Sequence, residues 1–364
     1  MPSNLELQGA VKLRKLMDLW LPRAMASREL LKLFPLVKID ETELIYERRQ
    51  VETGLQAARG NSGPTQPVQK PGVDVYRAAP GKYGDHYTIT EQELENLRNA
   101  GTWDDFESYD KQAARGTQHL TRRFLDRCEY SIAQLITTGG YTATSAQGVN
   151  YVQQIFQIPQ YTPNTLFSDL ANSQPLNFIR DLIPYLELGR SVSFQKGYIL
   201  CSRPTINLIL RNSNQADLNG KRLSYGQTIN SVDDLNEIVV ANDLPPFRVY
   251  DKGYYPDPPG SPFNPPGDYQ TAPVVRFMTN GQLVLVGARE DGETLGEYRL
   301  TRAAQNEKSA PGEWYQVEDR RQKDPCQVIL RAGHNGGPVP YYIEGFATVN
   351  AAPSSAFSAT APSE

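Results

Sequence analysis

An α+β fold is predicted for this 364-residue chain by three features. A single apolar stripe at helical spacing runs from Leu120 to Ile136, and several short runs rich in Val, Ile, Tyr and Thr are bounded by turn residues. With 28 Gly and 27 Pro against 39% apolar residues, the composition is that of a loop-rich globular chain and not a coiled coil.

In chain order, Leu13, Leu16, Met17 and Trp20 share one face of a short helix that Pro22 is expected to stop. Lys12, Arg14, Lys15 and Asp18 interrupt any continuous apolar run, so the segment reads as an amphipathic arm and not as an export signal. Val37, Ile39, Leu44, Ile45, Tyr46 and Val51 give 36–52 strand character. Residues 53–72 hold seven Gly and Pro and almost no large apolar side chain, which predicts a long exposed loop. Val73, Val75 and Tyr76, then Tyr87 to Thr90, bring the chain back. The result is a two-stranded excursion that buries too little to stand alone in water.

Thr90 and Glu93 have capping-box spacing ahead of Leu94 and Leu97. The long helix follows: Leu120, Phe124, Leu125, Cys128, Ile132, Leu135 and Ile136 line one face, and Gly139 with Gly140 stops it. Arg115, Arg122, Arg123 and Arg127 are assigned to a solvated flank. Ser173 and Pro175 open a helix bearing Leu176, Ile179, Leu182, Ile183 and Leu186, which Pro184 is expected to kink or shorten. Tyr198 to Cys201, Pro204, and then Ile206, Ile209 and Leu210 form a strand-turn-helix unit. Ser231 with Asp234 caps a helix carrying Val232, Leu235, Ile238 and Val239, and Phe247 to Tyr250 is a strand. Nine prolines between 245 and 273 exclude regular helix or central strand there. Thr279-Asn280-Gly281 between VVRFM and QLVLVG predicts a β-hairpin. Gln327 to Leu330 and Tyr341 to Val349 are strands on either side of an expected Gly-rich turn at 333–337.

A net charge of −4 gives no electrostatic footprint for tight nonspecific nucleic-acid binding and no polybasic membrane patch. No apolar run reaches the ~18 residues of a transmembrane helix, so a soluble product of the cell interior is expected. Cys128, Cys201 and Cys326 are odd in number and far apart, which argues against a disulfide framework and leaves no CxxC motif. His86, His119 and His334 are isolated, and phosphate-loop, dinucleotide and nucleophile-elbow motifs are absent. Two acidic clusters, Asp104 with Asp105 and Glu107, and Glu290 with Asp291 and Glu293, read as solvated turns. A hydrolase built on one of them is the remote alternative. No catalytic, metal or cofactor-binding residue is therefore assigned, and no cofactor is expected.

An amphipathic arm, a ribbon with little core of its own and a polar tail suit a self-assembling subunit. The ribbon carries Arg48, Arg49, Arg59, Lys70, Arg77 and Lys82 and a local charge of +3, so it is expected to rest on a neighbour's acidic surface. Trp20, Arg48, Arg49, Arg59, Lys70 and Arg77 are the candidate inter-subunit contacts.

The helix LTRRFLDRCEYSIAQLITTGGYT, the unit YILCSRPTINLILRN, and PFRVYDKGYY followed by TNGQLVLVGAREDG are diffuse similarities of pattern and order. Together they resemble the major capsid proteins of tailed phages, and within them the phage lambda major capsid protein E family, over about 36–350. The resemblance implies the Hong Kong 97-type fold. Its parts would be an N-terminal arm (1–35), an E-loop (36–88), a P-domain (89–159 and 323–350) on a spine helix at about 112–138, an A-domain (160–322) and a flexible tail (351–364). It implies a non-enzymatic major capsid protein whose hexamers and pentamers close an icosahedral shell around double-stranded DNA, and assembly followed by expansion. The virion head is the implied location, with synthesis in the host bacterial cytoplasm. Portal, scaffold and decoration proteins are the implied partners, and no membrane. The ribbon starts about 36 residues in, which leaves no room for a built-in scaffolding segment. No Lys–Asn pair matches the family's cross-link, so Lys38 and Lys70 are not assigned to one. The runner-up is an encapsulin-type nanocompartment enclosing an enzyme.

Overall fold

A 30-residue helix packs against a 14-residue strand that also pairs with three other strands. The computed structural model describes residues 15, 18–49, 73–95, 109–144, 150–155, 158–188, 192–212, 231–254, 274–289, 292–306, 310–320, 322 and 324–353. The loop expected at 53–72, most of the proline-rich stretch and most of the tail lie outside these residues.

The arm holds helices α1 (18–26) and α2 (Glu29–Leu33) and leads to β1 (Leu36–Lys38). Pro22 does not stop α1: it is exposed, so the partner its missing N–H leaves unsatisfied remains open to water. Strands β2 (Leu44–Arg49) and β3 (Val73–Ala78) pair antiparallel as a separate ribbon, and β4 (Gly81–Thr90) returns to the body. Helix α3 (Glu91–Glu95) starts at the expected box: the Thr90 N–H donates to Glu93 Oε2 at 2.8 Å and the Glu93 N–H to Thr90 Oγ1 at 3.4 Å.

Helix α4 (Tyr109–Thr138) is about 45 Å long at ~1.5 Å per residue. It ends where Gly139 takes φ 76°, a conformation glycine adopts without a Cβ penalty. Every residue of its expected apolar stripe is buried. Its arginines are not all a solvated flank. Arg115 and Arg122 are exposed, but Arg123 pairs with Asp85 at 2.7 Å, and Arg127 lies over the rings of Tyr83 and Tyr130 at 4.4 and 5.3 Å. The Tyr-, Thr- and Gln-rich stretch after α4, given no element from sequence, forms the hairpin β5 (Gly140–Thr144) and β6 (Asn150–Ile155).

Next come β7 (Gln160–Tyr161), α5 (Pro175–Glu187), β8 (Val192–Cys201), α6 (Arg203–Leu210), α7 (Val232–Ala241) and β9 (Phe247–Val249). Pro184 does not shorten α5, which runs three residues past it. Helix α7 has the full capping box: Asp234 N–H donates to Ser231 Oγ at 3.1 Å and Ser231 N–H to Asp234 Oδ2 at 3.2 Å. Ser231→Ala is expected to destabilise the subunit by about 1 kcal/mol, read from denaturant unfolding; an unchanged midpoint would show that tertiary contacts alone hold α7.

Strand β10 (Gly253–Tyr254) pairs with β11 (Val275–Arg276), and β12 (Gln282–Arg289), β13 (Gly296–Leu300), β14 (Trp314–Asp319), β15 (Gln327–Pro340) and β16 (Phe346–Asn350) complete the chain. The hairpin predicted at Asn280-Gly281 is not formed. The turn exists, with Gly281 at φ 85°, but β12 lies between β8 and β16 while β11 joins β10. Tertiary partners take the turn's polar groups: Gly281 N–H donates to Thr205 Oγ1 at 2.9 Å, and its carbonyl accepts from Ala351 and Ala352 at 2.7 and 3.0 Å. Nor is 333–337 a turn; it is the middle of β15. A Cβ at Gly333 would sit 2.2 Å from the Tyr83 carbonyl oxygen, and one at Gly336 2.3 Å from that of Arg299. Glycine here serves close approach of neighbouring strands, not chain reversal.

One sheet therefore has β4 along one edge of β15 and β14 and β13 along its other edge, with β1 outside β13. The pairing of β13 and β14 with β15 crosses the boundary at 322 that separates the expected A- and P-domain spans. The second sheet runs β7-β16-β12-β8-β9. Helix α4, the arm and the ribbon root share a core with the first sheet, whereas α5, α6 and α7 bury Leu176, Ile183, Ile206, Leu235 and Val239 with the second.

Candidate assembly surfaces

The arm is anchored through one arginine. Arg28, 8% exposed between α1 and α2, donates Nη1 to Glu129 Oε2 at 2.5 Å and Nη2 to Asp126 Oδ1 at 2.6 Å. The Tyr250 hydroxyl donates to the other oxygen of Glu129, and Lys252 donates to the Ser27 carbonyl and hydroxyl. Burial pushes the Glu129 carboxyl above its ordinary value, with Tyr250 and Arg28 acting against the rise. Arm, α4 and the segment after β9 thus meet on one buried carboxylate. Sequence reasoning missed this site; the available signal was a carboxylate, Glu129, directly after Cys128 of the apolar stripe.

The ribbon is rooted in the body and extends from it. Leu44 and Tyr46 are buried, Tyr46 stacks on Tyr76 at 5.4 Å, and Arg299 Nη1 donates to the Ile45 carbonyl. Farther out Val75 is exposed. Of the expected contact residues, Arg48 lies opposite Asp74, Arg49 opposite Val73, and the exposed Arg77 opposite Ile45. Arg59 and Lys70 are outside the described residues. Trp20 is not on the ribbon but half-buried on α1, where it lines a groove of about 690 Å³ between α1, α4 and the loop at Lys252. Lys38 pairs with Glu313 at 2.8 Å.

The chemistry-bearing residues are dispersed. His334 is fully enclosed on β15, sharing a 3.0 Å hydrogen bond with the Tyr298 hydroxyl and packing on Phe124 and Tyr83. Burial lowers its pKa to about 3. A histidine depressed in this way contributes stability above its ordinary value of 6.5, which is lost as pH falls toward 3. His334→Gln is therefore expected to flatten the acid limb of a melting-temperature profile between pH 6.5 and 3; an unchanged slope would assign that limb to other groups. Cys128 and Cys201 are buried free thiols and Cys326 is half-buried. Glu293 pairs with Arg289 at 3.3 Å, while Glu290, Asp291, Asp104, Asp105 and Glu107 lie outside the described residues. Among the described residues no group of His, Cys, Asp and Glu is placed to hold a metal, and no helix is long and apolar enough to cross a membrane.

The family model of phage major capsid protein E matches residues 29–230, a span that includes the ribbon, α4 and the strand-turn-helix unit. In fold the chain is similar to a protein described as a prophage capsid protein from Escherichia coli CFT073, with a TM-score of 0.54 and 14% identity over 91% of this chain and 98% of that one. It is also similar to a phage-related protein from Bordetella bronchiseptica RB50, with a TM-score of 0.51 and 10% identity over 93% and 98%. No curated protein matches the sequence. The architecture, α4 crossing one sheet, a projecting ribbon and a second helix-covered sheet, is the Hong Kong 97-type capsid fold. With more than half of its length matched and that fold throughout, the chain belongs to the phage major capsid protein E family and is a subunit of a virion capsid shell.

Proposed function

We propose that this chain is the major capsid protein of a tailed phage, forming hexamers and pentamers that close an icosahedral head around double-stranded DNA. The observation that carries the reading is the ribbon, fixed at its root by Leu44, Tyr46 and Arg299 yet exposing Arg77 beside that root and Val75 beyond it. Two strands exposed this way gain their missing burial from a neighbouring copy. In this reading 1–35 is the arm, 36–88 the E-loop, 89–159 with 323–350 the P-domain, 160–322 the A-domain and 351–364 the tail. Arg48, Arg49, Arg59, Lys70 and Arg77 of the ribbon, and Trp20 of the arm, contact neighbours. Closure then follows from repeated symmetric contacts, without catalysis by the subunit. Scaffold, portal and decoration proteins assist assembly after synthesis in the host bacterial cytoplasm.

The test is light scattering with negative-stain microscopy on protein expressed with and without its neighbouring genes. Closed shells containing DNA support the reading, enzyme contents would favour a nanocompartment, and a strictly monomeric product under both conditions would defeat it. The double variant Arg48→Glu/Arg49→Glu is expected to reduce shell yield; normal shells would remove the ribbon from the contact.

A further inference from the structure

The groove beside Trp20 has four cationic side chains in its lining, Arg23, Arg28, Arg122 and Lys252, against one carboxylate, Asp126. Arg28 and Lys252 are engaged internally, as described above. Arg23 and Arg122 are different: one on α1 and one on α4, they are exposed and meet no carboxylate among the described residues. Trp20 and Phe277 give the same groove an aromatic lining. Its chemistry therefore asks for an acidic segment that also carries an apolar side chain.

One described surface offers that combination. Helix α7 turns Leu235 and Val239 into the second core and leaves Asp233, Glu237 and Val240 outward, with Val240 56% exposed. These three are spaced i, i+4 and i+7, so they share a face about 10 Å long. Neither Asp233 nor Glu237 meets a cation among the described residues. Within one chain no residue of α7 lines the groove, and α7 packs on the second core.

We propose that the groove between α1 and α4 receives the acidic face of α7 from a second copy of the chain. Arg23 and Arg122 pair with Asp233 and Glu237, and Val240 packs toward Trp20. The contact is heterologous, one patch meeting a different patch, and such contacts generate rings of subunits where the rotation closes. The inference rests on the shell reading and adds to it a specific pair of surfaces, separate from the ribbon.

The test compares the full-length chain with R23E/R122E, D233K/E237K and the fourfold combination, each expressed under the conditions in which the wild type assembles. Each double variant is expected to lower shell yield about tenfold or more, because like charges then face each other across the contact. The fourfold variant restores the pairing in reverse and recovers yield. All four positions are exposed, so R23E/R122E subunits keep close to the wild-type melting temperature, while D233K/E237K subunits lose only the small cost of a cation in the first turn of α7. In a second measurement, assembled shells of Arg122→Cys with Glu237→Cys are treated with a short bis-maleimide, which bridges thiols across the span of an Arg–Glu pair, and are expected to give covalent multimers on denaturing gels that wild-type shells, with Cys326, do not. Double variants that assemble normally, a fourfold variant that fails to recover, or cysteines that leave only monomer would each overturn the proposal. Failure of the wild type itself to assemble would overturn the shell reading and this inference together.

Discussion

Arg28→Met is expected to destabilise the free subunit by about 3–5 kcal/mol at pH 7, because it strands a buried carboxylate. Glu129 is 0% exposed and keeps only the Tyr250 hydroxyl once the guanidinium is gone. Asp126 also loses a partner, but its side chain is 31% exposed and water can replace the bond. The pH dependence separates charge from packing. The folded-state pKa of Glu129 already lies above its ordinary 4.5, so this group's contribution is greatest below 4.5 and declines as pH rises through the folded value. Without Arg28 the folded value moves higher, and the decline deepens and reaches further toward neutrality. Urea unfolding should therefore show a small difference from wild type near pH 4 and the full loss at pH 7. An equal loss at both would assign the effect to the arginine stem and not to its charge.

Gly333→Val is expected to abolish soluble subunit, or to cost about 3 kcal/mol or more where protein is recovered, as overpacking against fixed backbone does. The added Cβ would meet the Tyr83 carbonyl at 2.2 Å and the Trp314 ring at 2.5 Å. Strand β4 must then separate from β15, since a carbonyl oxygen cannot move aside as a side-chain tip does. Gly292 provides the contrast: its φ is 73°, but a Cβ added there would have no neighbouring atom within 4 Å. Gly292→Ala should lose only about 1 kcal/mol, from backbone conformation alone. Thermal unfolding and soluble yield of the pair report the difference, and comparable losses would refute close approach as the reason for Gly333.

The elements legible in the sequence are those fixed by local physics. Thr90/Glu93 and Ser231/Asp234 form their boxes within four residues, and α4 stops at Gly139 because glycine permits the positive φ required. The misread segments are those where a local signal has two physical uses. Asn280-Gly281 makes a turn, but whether its flanks pair depends on β8 and β16, which lie far away in sequence. The glycines at 333–337 look like a turn until β4 and β13 are brought against them. The candidate surfaces divide in the same way. Composition placed Arg48, Arg49 and Arg77 on a ribbon, and pairing of β2 with β3 puts all three there. The Arg28–Glu129 anchor spans 101 positions, and no periodicity encodes a contact at that distance.

The arrangement around β15 also has a mechanical consequence. Ten consecutive positions of this strand are in register with β4 on one edge, hydrogen-bonding in alternate pairs, while β14 and then β13 occupy the other. Tension along the strand direction is consequently shared by many hydrogen bonds in shear and does not peel them one at a time. A wall built from such subunits resists stretching within each tile, so changes in its curvature are taken up at the seams between tiles.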